Sequence, residues 1–470
     1  MAFGKILKDF IEKQELTIYQ LAKETGIDRS FLQGVLRGTK KLPPKRFADI
    51  VNREHFSCDQ IQTLCEEYFT DRFGKEKTDC FKQIEKGLSG QIKEELDSGS
   101  NAGHTEISEE PSFYSSAKDV ANAVYTLLGA GEVKSFISNF DFSAKEINKI
   151  VYAACKSGKI KDFFHYVAPG GRDRADGIEM IFNMLCYAEA GYITYLSGDK
   201  NAGTVFPYFL IADSRLLMFD ETAENAVLMH ADKIDIFLKK KIYETKKHCR
   251  KGVQITETFS DYLDILSTLN VGNKKKVMTV FANGICPELI SPETADEETA
   301  SALKGLPYTA RRTRTAGKAE DTNKNGRPII DSLTITYDAL YDFAKIGVLK
   351  CLPYSLTGAV AKNKRQILLA SLVDKTVVGK VIVTNPNFFS ICHDISYRVD
   401  GRFLILTTSG GTGKADDYNG RILLYTDSKS IIEDFKDYLD YILLSTKAYP
   451  KEASEEMIQM FIDRLKDTGC

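Results

Sequence analysis

Ten cysteines and six histidines are the residues of this 470-residue chain best suited to metal or nucleophilic chemistry, and their spacing supports neither. No CxxC pair occurs, and Cys58, Cys65 and Cys80 lack metal-ligand spacing. His165, His230, His248 and His393 stand far apart, with no HExxH and no His-x-His. His248 and Cys249 are adjacent and so point to different sides of a helix or strand. There is no Gly-x-Ser-x-Gly elbow, and no GxGxxG follows a strand. The loop at residues 409–414 reads Ser-Gly-Gly-Thr-Gly-Lys. It fails as a phosphate-binding loop because Thr408 stands where the first glycine belongs and Ala415 follows the lysine. The expectation is a chain with no catalytic residues, no resident metal and no cofactor.

Charged side chains offer more. Residues 169–174 form a polar, glycine-bearing turn in which Arg172 and Arg174 are suited to an anion, with a solvated loop as the competing reading. Lys364 and Arg365 sit in a similar basic stretch. Lys239, Lys240, Lys241, Lys246 and Lys247, and again Lys274, Lys275 and Lys276, suit added DNA contacts or an acidic partner, but solvated helix faces are the favoured reading, since Asp232, Asp235 and Glu244 lie nearby. Arg311, Arg312 and Arg314 suit a phosphate-touching arm. The densest cluster comes early: Arg37, Lys40, Lys41, Lys45 and Arg46 give five cations in ten residues with no acid among them. Such a run suits phosphate contacts, which set affinity rather than sequence preference.

The elements that would position these cations lie just before them, where residues 17–38 read TIYQLAKETGIDRSFLQGVLRG. Thr17 followed three residues on by Gln20 is a capping box, so a helix starts near Ile18. Leu21 faces inward, and Ala22 is small where a second helix crosses closely. Gly26 stands where the first helix ends in a left-handed turn, and Asp28 caps a second helix buried through Phe31 or Leu32 with Val35. Helix, glycine turn, helix is the recipe of a helix-turn-helix.

Ala22, Gly26, Ile27, Leu32, Val35 and Arg37-Gly38 resemble the Cro/repressor (XRE-type) helix-turn-helix domains. The resemblance covers about residues 3–70, with Ile6, Leu7 and Phe10 supplying a first helix and Phe47, Ile50, Val51, Ile61, Leu64 and Tyr68 later ones. It departs at Ile18, where the family often has a phosphate-binding Gln; that contact is either lost or supplied by Thr17 or Tyr19. The resemblance implies a recognition helix from about Arg29 to Leu36, exposing Asp28, Arg29, Ser30, Gln33, Gly34 and Arg37 to DNA, with Lys40 and Lys41 on the backbone. Arginine binds guanine O6 and N7, and glutamine adenine N6 and N7, so Arg29 and Gln33 suit base edges.

The whole chain balances 63 Lys and Arg against 65 Asp and Glu, a net charge of −2, so any nucleic-acid role must be local. The first residues lack a signal-peptide core, and no apolar run approaches the ~20 residues that span a bilayer. A reduced, cytoplasmic protein is expected. Composition divides it into a helix-turn-helix domain at 1–88, a linker at 89–112, an α/β module at 113–286, a polar connection at 287–330 and a second α/β module at 331–470. The fold class expected is multidomain: an all-α N-terminal domain, then a large α+β region made by tandem duplication. Four short matches suggest it: residues 154–161 with 343–350, 209–211 with 403–405, 226–230 with 421–425, and Phe237 with Phe435. The reading is a sequence-specific transcription regulator that binds duplex DNA as a homodimer. Its C-terminal region would sense a small-molecule or protein effector, or assemble subunits. An enzyme or defence effector targeted by the helix-turn-helix, or a partner-binding scaffold, is the alternative.

Overall fold

The computed structural model describes residues 2–51, 55–107, 110–129, 131–168, 173–197, 207–230, 235–256, 279–285, 289, 330–349, 359–375, 377–387, 389, 395–400, 402–409, 421–445 and 447–467. It is a mixed helix-and-sheet protein with two mixed sheets. Seven helices come first: α1 (Ala2–Lys13), α2 (Ile18–Thr25), α3 (Arg29–Leu36), α4 (Pro44–Val51), α5 (Cys58–Phe73), α6 (Lys75–Leu88) and α7 (Gln91–Asp97). Their core is aromatic. Phe47 stacks on Tyr68 with ring centroids 4.0 Å apart, and Phe3 meets both rings edge-on.

In the first sheet, β2 (Val133–Ser138), β3 (Ile160–Val167) and β4 (Thr194–Leu196) run parallel. They are connected by α9 (Lys145–Lys156) and α10 (Arg174–Glu189). Next, β5 (Tyr208–Ala212) pairs antiparallel with β2, and β6 (Arg215–Phe219) and β7 (Ala226–His230) continue the meander. β1 (Ser112–Tyr114) borders β7, and β8 (Arg250–Lys251) borders β4. Neighbouring strand residues face opposite sides. Hence Phe163 and His165 meet Tyr187 of α10, while Phe164 and Tyr166 cluster with Ile242 of α11 (Asp235–His248). α8 (Ala117–Gly129) packs beside α9.

The second sheet repeats the order. β10 (Thr279–Ala282), β11 (Ile330–Ile335) and β12 (Val378–Val383) are parallel. β13 (Ser396–Asp400) pairs antiparallel with β10, followed by β14 (Phe403–Ser409) and β15 (Arg421–Thr426), with β9 (Val253–Thr256) beyond β15. One face holds an apolar cluster shared by α12 (Tyr337–Ile346), α13 (Lys362–Val373) and α15 (Lys451–Asp467). The other receives α14 (Lys429–Leu444), where Tyr397 meets Phe435 at 5.0 Å.

Three expectations need correction. Residues 89–112 are not simply a linker: α7 lies there, with Ile92 and Leu96 buried, Lys93 bound to Glu189 at 2.6 Å and Asp97 to Lys156 at 2.6 Å. The polar composition at residues 98–103 hid a docked helix whose apolar side is only two residues wide. The boundary between the sheets falls at Gly252 rather than near 286, because β8 pairs with the first sheet and β9 with the second. Of the four sequence matches, two fall on equivalent elements, β7 with β15 and α11 with α14. Phe209–Ile211 lies on β5, whereas Phe403–Ile405 lies on β14, whose counterpart is β6. Residues 154–161 end α9 and enter β3, whereas 343–346 end α12, which follows β11, the counterpart of β3. Short apolar runs look alike, so such matches slide by one element.

The N-terminal helices are seated on the helices that cover the sheets, α10 and α14. Phe69 and Phe81 meet Tyr441 of α14 at 4.5 and 5.1 Å. Gly87 lets α6 approach α10 so closely that a Cβ there would sit 2.2 Å from the Phe182 ring. Ion pairs Lys77–Asp437 and Lys447–Glu85 flank this contact. Among the described residues no helix is long and apolar enough to cross a membrane.

Candidate nucleic-acid interface

Thr17 caps α2: its hydroxyl accepts from the Gln20 amide at 3.1 Å, and the Gln20 side chain accepts in return from the Thr17 amide at 3.0 Å. Gly26 then takes a φ of +64°, the left-handed conformation that glycine adopts without steric cost, and ends the helix. Asp28 caps α3 by accepting from the Phe31 amide at 2.8 Å. The Ser30 hydroxyl donates to the same carboxylate at 2.6 Å and is the main reason the Asp28 carboxyl lies below its usual pKa. Leu21, Ala22, Ile27, Leu32 and Val35 are buried between the helices. Each cap satisfies amides that the first turn of a helix leaves unpaired, so two eight-residue helices become well-defined elements.

This geometry sorts the expected contacts. Arg29, Gln33 and Arg37 recur every four residues and so lie along one side of α3. Arg29 and Arg37 are exposed and Gln33 half-buried. Lys40 and Lys41 are exposed after the helix, and Tyr19 on α2 is 61% exposed. Among the described residues, Arg29, Arg37, Lys40 and Lys41 enter no ion pair, whereas Arg46 is bonded to Asp49 at 3.3 Å. Lys45 has its side chain outside the described residues.

Other members of the set are already occupied. Thr17, Asp28 and Ser30 are engaged in capping. Gly34 is no surface position: it is buried, its carbonyl accepts from the Thr39 and Lys40 amides, and a Cβ would meet the Lys40 stem at 2.9 Å. The glycine thus lets residues 37–40 fold back over the helix, with the Lys40 ammonium 5.3 Å above the Phe31 ring. Close packing within the protein, rather than close approach to a groove, accounts for it.

The anion-contact readings do not hold for two arginines. Arg174 opens α10 and grips Asp434 of α14 with Nε at 3.1 Å and Nη2 at 2.6 Å, Nη2 also donating to the Ser430 carbonyl at 3.1 Å. Arg365 donates Nε to the Val360 carbonyl at 2.7 Å and Nη1 to the Ala344 and Lys345 carbonyls at 2.9 Å each, closing the end of α12. Both guanidiniums are consumed by the fold. Lys364 lies half-buried on α13, and Arg172 lies outside the described residues, as do Lys274–276, residues 311–314 and residues 410–414. No group of three His, Cys, Asp or Glu is placed to hold a metal among the described residues.

Sheet order and helix placement define the class: a multi-unit α+β protein with two similarly ordered mixed sheets and a helical N-terminal part. No known family's profile matches the chain, and no curated protein is similar enough in sequence to serve as a relative. Among solved structures, a phosphatidylserine synthase from Haemophilus influenzae is similar over 81% of this chain and 98% of that one, at 10% identity and a TM-score of 0.26. A polyphosphate kinase from Porphyromonas gingivalis is similar over 76% of this chain and 56% of that one, at 10% identity and a TM-score of 0.24. TrmBL2, an archaeal chromatin protein with a novel mode of DNA binding, is similar over 53% and 98%, at 14% identity and a TM-score of 0.24. At these scores the likenesses define neither the fold nor an activity.

Proposed function

We propose that this protein is a sequence-specific, duplex-DNA-binding transcription regulator of the cytoplasm, acting as a homodimer. Its N-terminal helices are an XRE-like helix-turn-helix domain, with α3 as the helix that enters the major groove. The observation that carries the reading is the capped helix pair α2–α3 with exposed Arg29 and Arg37 and half-buried Gln33 along one side, beside cations without ion pairs. Arg29 and Gln33 read base edges, and Arg37, Lys40, Lys41 and Tyr19 hold the backbone. The α+β region is a tandem duplication, supported by the shared order of three parallel and three antiparallel strands. It responds to a small-molecule or protein effector. Because α6 is packed on α10 and α14, a change in that region reaches α3 through packed helices, without slack to dilute it.

The test uses the full chain, since α6 loses its apolar support in a short fragment. Arg29→Ala is expected to cost about 1–3 kcal/mol of binding to the selected site and to relax preference at one base pair. Lys41→Ala weakens binding to every sequence alike and lowers the slope of log affinity against log salt by about 0.9. Affinity that is independent of salt, or unchanged in both variants, overturns the reading.

A further inference from the structure

A second cationic surface lies far along the chain from the helix pair. From Lys239 to Lys251 there are seven Lys or Arg and one acid, Glu244, in a chain of net charge −2. It spans α11 and β8. Lys240, Lys246, Lys247, His248, Arg250 and Lys251 are exposed, and Tyr243 is 59% exposed with the Lys247 ammonium 4.4 Å from its ring. The available acids neutralise only part of it: Glu244 reaches Lys247 at 3.7 Å and Asp427 reaches Arg250 at 3.3 Å. Lys240 and Lys251 have no ion pair among the described residues.

Local structural needs account for a fraction of this charge. The last turn of a helix favours cations through its dipole, which covers Lys246, Lys247 and His248. Lysine on an edge strand discourages pairing with another chain, which covers Lys251. Lys240 lies earlier on α11, and neither need calls for six exposed basic groups with an aromatic ring among them. Cations at this density match the phosphates of a nucleic-acid backbone.

We propose that this face binds the phosphate backbone of duplex DNA, as a site separate from α3. The proposal rests on the reading of the protein as a DNA binder. Its particular content comes from topology. α11 covers the face of the first sheet formed by Phe164, Tyr166, Ile211 and Leu216, whereas α6 is seated on α10, across the sheet. α11 and the helix that seats the N-terminal bundle therefore lie on opposite sides of the first sheet, and in this proposal a single chain joins two duplex segments: one read by α3 in sequence, the other held by charge alone.

The experiment compares the full chain with a triple variant, Lys240→Gln, Lys247→Gln and Lys251→Gln, and with Lys247→Glu as a smaller change. Lys246 is left alone because its ammonium lies 4.5 Å from the buried Phe164 ring. Thermal melting checks that each variant folds. An unlabelled duplex carrying the selected site is immobilised, and capture of a second, labelled duplex of unrelated sequence is measured. Capture by the wild type is expected to fall about tenfold in the triple variant, with a salt slope for unrelated duplex smaller by about 3, while binding to the selected site is kept. Arg29→Ala is expected to do the reverse, weakening the selected site and keeping salt-sensitive binding to unrelated duplex. That contrast separates failure of this site from failure of the α3 reading. Equal capture by wild type and triple variant, no capture by the wild type, or lysine-dependent binding to phosphatidylserine vesicles without duplex binding, each overturns the second site.

Discussion

Arg174→Ala is expected to lower stability by about 3–5 kcal/mol, the range for removing one partner of a buried ion pair. Asp434 has a fully buried side chain, and burial raises its carboxyl above the ordinary value even though Arg174 beside it pulls the other way. Without the guanidinium, a buried carboxylate must either stay charged in an apolar setting or take up a proton, and both cost stability. The pair also lies where α6, α10 and α14 meet, with Glu76 of α6 3.9 Å from Arg174, so its loss loosens the seat of the N-terminal helices. Urea denaturation measures the effect. The double replacement Arg174→Met with Asp434→Leu is expected to recover most of the loss, because well-packed apolar side chains often substitute for a buried pair without penalty. A cost below about 1 kcal/mol for the single variant would show that the pair is not the fastening this geometry describes.

Acid is expected to destabilise the protein through His165. This side chain is fully buried on β3, stacked 4.7 Å from Phe140 and edge-on to Phe142 at 4.9 Å. Its Nε2–H donates to the Phe140 carbonyl at 2.7 Å, and Nδ1 accepts from the Thr194 hydroxyl at 3.3 Å, a set of bonds that suits the neutral ring. Burial pushes its pKa down from 6.5 to about 4. The folded state therefore binds this proton less readily than the unfolded chain. The stabilisation is fully present above pH 6.5 and is lost as the pH falls towards 4, about 3 kcal/mol over the window. Denaturation midpoints at pH 6.5 and pH 5 read it above the range of most carboxylates. His165→Gln is expected to flatten that slope, and an equal slope in wild type and variant would remove His165 as its source.

Much of the α2–α3 pair was legible in the sequence because local rules govern it. A capping residue, a glycine turn and apolar residues at helical spacing act within a few positions of one another. Thr17, Gln20, Gly26 and Asp28 accordingly take the places their types require. The exposure of Arg29, Arg37 and Lys41 belongs to the same local pattern.

Tertiary structure decided what depends on distant partners. Whether an arginine awaits an anion or is consumed by the fold turns on atoms outside its local window, 20 residues away for Arg365 and hundreds for Arg174. Arg174 stands 260 positions before the Asp434 that holds it, and no window around either residue announces the match. Gly34 is explained only when residues 37–40 fold back over it, and α7 becomes a docked helix only when α10 offers Glu189 to Lys93. The strand order of the two sheets is likewise set by which strands pair. An apolar run fixes that a segment is buried in a sheet, but every such run satisfies that demand equally. Hydrogen-bonded register, loop length and the packing of α10 and α14 between the sheets choose among them, and those are properties of the assembled chain.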